Sequence, residues 1–221
     1  MLAGVLMVLL ALDALLGVVG VVDDISYHDL IRRVLAGGYV SLSRAQSADN
    51  RVHDIAVTAI GLYILTGVLF LAWFRHAYKN VARLGVAGMR WSARWAVGAW
   101  FVPVLNLIRP KAIMNDIWRG SDPDLRVGST LSWDNPPWLY QVWWGIWILS
   151  WIADRLTYTN FRSAQTLSAL SRATLELTAS DALDVVGAVV AIAVVYSLTT
   201  RQRKRALALA EIDPAGVSAA I

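Results

Sequence analysis

The residues of this chain best suited to chemistry surround two prolines. Asn106, Arg109, Lys111, Asn115 and Asp116 follow Pro103 and bracket Pro110. Asn106 and Arg109 are spaced i, i+3, so in a helix both would share one face. Arg75, Asn80 and Trp100 lie upstream and complete a candidate polar cluster. Arginine and asparagine donors in such a group suit an anionic headgroup, a phosphate or a carboxylate. A simpler reading gives Asn106 the carbonyls that Pro103 and Pro110 leave unpaired, with the basic chains extended toward water.

A second kind of chemistry attaches to Asp13. It interrupts an otherwise apolar run at 2–22, and a carboxylate at the centre of a membrane helix costs at least ~2.5 kcal/mol. Such acids mark proton or ion paths, or they pair with a partner; Asn106, Tyr63 and an inward-turned arginine are the candidates. Asp54, Asp154, Asp181 and Asp184 sit at the ends of apolar runs, where capping and solvation account for them.

Other chemistries find little support. His28, His53 and His76 form no i, i+3 or i, i+4 pair, and the chain has no cysteine, so neither a metal nor another cofactor is expected. No nucleophile elbow, phosphate loop or dinucleotide fingerprint is present. Trp91, Trp95, Trp118, Trp133 and Trp138 fall where interfacial belts belong. Trp143, Trp147 and Trp151 recur at every fourth position, a stripe suited to packing or to an aromatic cage for an apolar or quaternary-amine ligand.

These residues must be positioned by membrane elements. Of 221 residues, 57% are hydrophobic and only 16% charged, against about a quarter charged in soluble domains. The charge is also segregated. Runs at 2–22, 55–74, 138–153 and 183–199 are almost free of it, and at 1.5 Å per residue they approach a hydrocarbon core of about 30 Å. The first run lacks a basic leader and a small-residue cleavage site, which favours a retained helix over a signal peptide. The expected fold is therefore all-α, a polytopic helical bundle with four transmembrane helices in a single membrane domain.

The stretch 95–118 does not fit that pattern. Its apolar part is short, and Pro103 falls inside it, so it reads as a re-entrant or interfacial element. The charge distribution agrees. Were it a span, the basic residues of 75–94 and of Arg201-Gln202-Arg203-Lys204-Arg205 would face opposite sides; kept on one side, they satisfy the positive-inside rule. This places both termini and the basic tail, 200–221, in the cytoplasm, and leaves 23–54, broken by Gly37-Gly38, and 155–181 as outer amphipathic segments. The two halves echo one another. Leu42-Ser43-Arg44-Ala45 and Leu170-Ser171-Arg172-Ala173 each precede an acid-headed span, an order that suggests a tandem repeat of helix pairs.

The run Phe70-Leu71-Ala72-Trp73-Phe74-Arg75, with Asn80 and Leu84-Gly85, leads to Trp95, Trp100-Phe101-Val102-Pro103, Asn106-Leu107 and Arg109-Pro110. With Ile117-Trp118, Ser121-Asp122-Pro123 and Thr200-Arg201-Gln202, it resembles the bacterial domain of unknown function 4328. The resemblance implies a four-helix protein of the bacterial plasma membrane, and it implies no substrate, cofactor or reaction. The function expected is a non-enzymatic module binding membrane lipids, a hydrophobic small molecule or a partner membrane protein. A small channel or transporter using Asp13 is the first alternative, and an intramembrane enzyme on a lipidic substrate the second. The net charge of +4 lies just outside apolar ends, which favours headgroups over nucleic acid.

Overall fold

The computed structural model describes residues 1–212, so the end of the expected basic tail lies outside the described residues. The described chain is all helix and turn. Four long helices, α1 (Leu2–Leu35), α2 (Leu42–Arg83), α5 (Trp138–Ser163) and α6 (Leu167–Ile212), enclose two short ones in the sequence, α3 (Trp95–Gly98) and α4 (Arg109–Gly120). The outer amphipathic segments are helical continuations of the apolar runs, not separate elements.

Helices α1, α2 and α6 are long and apolar enough to cross a membrane. In their most apolar windows only 17%, 6% and 22% of residues are buried by the protein itself. Apolar surface on that scale needs a covering that water does not supply, and lipid supplies it. The chain is a membrane protein. The apolar run 138–153 lies within α5.

The chain forms two compact units, to which all four long helices contribute. One unit comprises Met1–Met7, Gly67–Trp144 and the described part of Ile192–Ile221; the other comprises Val8–Thr66 and Gly145–Ala191.

In the second unit two helical hairpins are built alike. Helix α1 ends where Gly37 turns to φ +78°, with Gly38 N–H donating to the Arg33 carbonyl and Gly37 N–H to that of Val34. This paired closure needs a left-handed residue after the last turn, which glycine adopts without strain. Helix α2 then starts under the Ser41 hydroxyl, which accepts from Arg44 N–H and lies 3.2 Å from Ser43 Oγ. At the start of α6, Thr166 accepts from Ala169 N–H and lies 3.2 Å from Ser168 Oγ. The structural match is thus Ser41-Leu42-Ser43 with Thr166-Leu167-Ser168, one turn out of register with the four-residue echo read from the sequence. Hydroxyl caps define the register.

The first unit is built differently. Helix α2 closes on Gly85, again at positive φ, with Val86 N–H reaching back to Val81. Beyond it the chain runs through α3, a 3₁₀ turn at Leu105–Leu107 and then α4. Phe70, Phe74, Trp100, Trp143 and Trp144 pack ring against ring, with centroids 5.5–6.0 Å apart. The expected tryptophan stripe does not act as one face. Trp143 is buried in this cluster, whereas Trp151 is more than half exposed.

Candidate functional site

The short helix expected after Pro103 begins later than its sequence suggests. Val104, at φ +66° and ψ −45°, turns the chain sharply, and Leu105 N–H donates to the Pro103 carbonyl at 2.8 Å. This is a positive-φ γ-turn, a strained conformation for a β-branched residue. Asn106 therefore lies in the 3₁₀ turn, and Arg109 opens α4 after a break at Ile108. The two do not share a helical face. The Leu107 carbonyl beside Asn106 accepts from Trp144 Nε1 at 3.2 Å.

Helix α4 is amphipathic, with Ile113, Met114 and Ile117 fully buried. Its polar residues each have distinct surroundings. Arg109 lies between two indoles, its guanidinium carbon 4.5 Å from the Trp91 ring centroid and 4.2 Å from that of Trp95. Asp116, fully buried, accepts both arms of the Arg90 guanidinium. That bond, with the Asp116 charge, raises the Arg90 pKa despite partial burial. Asn115 accepts from Lys111 Nζ at 2.9 Å. Upstream, Asn80 donates to Gln202 Oε1 at 3.4 Å, and Arg75 is exposed. Trp100 stands in the aromatic cluster, edge-on to Phe70 and Phe74. Seven of the eight candidate residues thus belong to the first unit, and Asn80, Trp100, Arg109, Asn115 and Asp116 each have different neighbours.

Asp13 belongs to the second unit. Thr66 is its hydroxyl neighbour, and Tyr63 lies within electrostatic reach. Of the partners considered from sequence, Tyr63 is the one found in its surroundings; Asn106 is part of the first unit.

The residues that sequence reasoning missed lie in the basic stretch after α6's apolar run. Arg205, fully buried, donates through Nε and Nη2 to the Leu84 carbonyl, and through Nη1 to those of Asp122 and Leu125. It closes the carboxyl end of α2, where a cation complements the helix dipole. Arg201 pairs with Asp122 at 3.3 Å, donates to the Trp118 carbonyl and stacks 4.0 Å over its ring. Gln202 donates to the Ala77 carbonyl at 2.8 Å. Only Arg203 and Lys204 are exposed. The start of the expected basic tail thus places Arg201, Gln202 and Arg205 against the protein.

Among buried basic groups of this unit, Lys111 is the exception. It is only 9% exposed, yet among the described residues no carboxylate lies within ion-pair distance of it. Asn115 takes one of its three donors, and the Tyr140 ring centroid stands 6.0 Å away. Burial pushes its pKa down to about 8.

Fold and site together define a helical membrane protein with a tryptophan-rich polar network. A family profile matches residues 37–200, most of the chain, and the protein belongs to that family, Domain of unknown function (DUF4328). No curated protein matches the chain, and no solved structure does.

Proposed function

We propose that this chain is a multi-pass protein of the bacterial plasma membrane that binds an anionic group at Lys111. In this reading the run 138–153 is a fourth span, and 95–118 lies at the interface or re-enters it. Both termini are cytoplasmic, because the basic residues of 75–94 and 201–205 share one unit and belong on the cytoplasmic side. The apolar side chains around the γ-turn support the interfacial placement. Phe101, Val104 and Ile108 are each 66–70% exposed, beside a backbone held in strain, as at ligand- and membrane-contacting tips.

The observation that carries the proposal is the uncompensated charge of Lys111. A buried cation requires a counter-charge or a full set of acceptors; Arg205 has the acceptors, and Lys111 has one amide. A phosphate or carboxylate would complete it, with Asn115 and the Tyr140 ring as the neighbouring wall. Membrane lipids are the abundant source of that chemistry, and a free anionic small molecule is the other. Arg109, one of the donors that the sequence offered for this role, lies against two indoles instead.

Native mass spectrometry of protein from mixed phosphatidylglycerol–phosphatidylcholine nanodiscs tests this. Wild type should retain phosphatidylglycerol, and Lys111→Met should lose it by at least tenfold. Competition by millimolar inorganic phosphate identifies a free anion as the ligand. Equal retention by both proteins, with no effect of phosphate, removes the proposal.

A further inference from the structure

In the second unit, α1 and α6 run antiparallel along a close seam. A side chain at Gly17 would meet Val185, and one at Gly20 would come within 2.9 Å of Asp181 Oδ2. Two turns beyond Gly20, His28 Nδ1 lies 3.0 Å from the Ser171 carbonyl. Asp24 falls between these contacts, one helical turn from Gly20 and one from His28. It is 5% exposed, and its Oδ2 atom is buried without a hydrogen-bond partner.

Its sequence neighbour provides the contrast. Asp23 faces α2 and holds Arg51 Nε at 2.8 Å. Asp24 forms no ion pair among the described residues, and the charges that bear on it are those of Asp181 and Asp23, both acidic. Helix α5 adds another acid, Asp154, within electrostatic reach of Asp181 and itself bonded by Ser180. Asp184 stands one turn along α6. The cation Arg51 on α2 is taken by Asp23. His28 has its Nδ1 directed at the Ser171 carbonyl.

An ionised carboxylate removed from water without donor or base is strongly disfavoured, and a second carboxylate close by disfavours it further. One small change relieves both. We propose that Asp24 is held as the neutral carboxylic acid, and that with Asp181 it forms a proton-binding site in the α1–α6 seam. The proton makes Asp24 a donor, gives the orphaned oxygen a role and removes one of two facing charges. The site stands at the end of the apolar run 2–22, so its occupancy follows the pH of the compartment that the hairpins face. Losing the proton places two like charges in a seam that Gly17 and Gly20 keep tight.

Infrared difference spectroscopy of the full chain in nanodiscs at neutral pH reads this directly. Wild type should show the carbonyl stretch of a protonated carboxyl group that Asp24→Asn removes and Asp23→Asn leaves in place. Asp181→Asn keeps Asp24 but removes its facing charge, so the band should vanish at a lower pH than in wild type; this variant serves if Asp24→Asn does not fold. A band that Asp24→Asn leaves unchanged, or a midpoint unmoved by Asp181→Asn, overturns the proposal. So does a sodium-dependent thermal shift of wild type that Asp24→Asn abolishes, which would assign the charge to a metal cation.

Discussion

The two units of this protein treat charge in opposite ways. In the unit that carries α4, arginines are tied down: Arg90 by Asp116, Arg201 by Asp122 and Trp118, and Arg205 by three carbonyls. In the unit that carries the hairpins, acids dominate, and buried oxygens of Asp23 and Asp24 go without a partner. A satisfied polar network fixes one arrangement of its helices. An unsatisfied one leaves a demand that a proton, an ion or a ligand can meet. The contrast is one of charge, since the Trp91 indole N–H and the Thr199 hydroxyl of the first unit are also buried without a hydrogen-bond partner. The first unit reads as a charge-paired frame and the second as a responsive element, with Lys111, among the described residues, the buried cation that the frame leaves open.

The difference is sharpest at Arg205. Replacing it with methionine keeps most of the side-chain volume but orphans the Leu84, Asp122 and Leu125 carbonyls, at roughly 1–3 kcal/mol for each buried group left unpaired. Some relaxation offsets this, so Arg205→Met should lower stability by about 3–5 kcal/mol in denaturant titrations monitored by tryptophan fluorescence. Arg203→Met, an exposed change on the same helix, should be near neutral. If the two variants unfold alike, the first unit is not a frame built on this residue.

That residue also shows what the sequence could and could not convey. The long helices were legible because apolar runs of about 20 residues leave few alternatives, and glycine pairs such as Gly37-Gly38 announce their ends. The inward turn of Arg205 was not legible because a charge count does not resolve direction. Val194, Leu198 and Arg205 are buried on one face of α6, with Arg201 half-buried between them; that i, i+4, i+7, i+11 spacing was the available signal. The polar cluster was legible as a list but not as an arrangement. Asp116 and Arg109 were legible as polar residues, yet Arg90 and Trp91 from the loop before α3, and Trp95 at its start, which lie against them, are set by a path that no local pattern specifies.

Lys111 tests the comparison from the other side, because it gives the frame one group that behaves like the second unit's acids. Its folded pKa of about 8 lies below the usual 10.5, so between these values the unfolded chain binds more protons than the folded one. Stability should therefore rise with pH from about 8 to 10.5 through this group, and the rise should be missing in Lys111→Met. Below pH 8 the lysine is charged in both states, its burial is unrelieved, and Lys111→Met should be the more stable protein in neutral detergent. Phosphatidylglycerol should reverse that order by giving the charged lysine its counter-ion. A pH profile identical in both proteins would mean that Lys111 reaches water and that the frame has no open position.

The smallest effect is expected at Val104. Its positive φ belongs to the backbone alone, since the side chain is 69% exposed and contributes little packing. Glycine adopts this region freely, so relief of the strain, about 1–3 kcal/mol, competes with the entropy that glycine adds to the unfolded chain, about 0.4–1 kcal/mol. Val104→Gly should then stabilise the protein by about 1 kcal/mol, the difference of those two effects. If the γ-turn instead exists to present Phe101, Val104 and Ile108 to the membrane interface, the same variant should loosen the turn and partition more weakly into vesicles. A stability gain together with weaker partitioning would mean that the frame keeps its strain for contact with lipid; a gain with partitioning unchanged would make the turn a consequence of Pro103 alone.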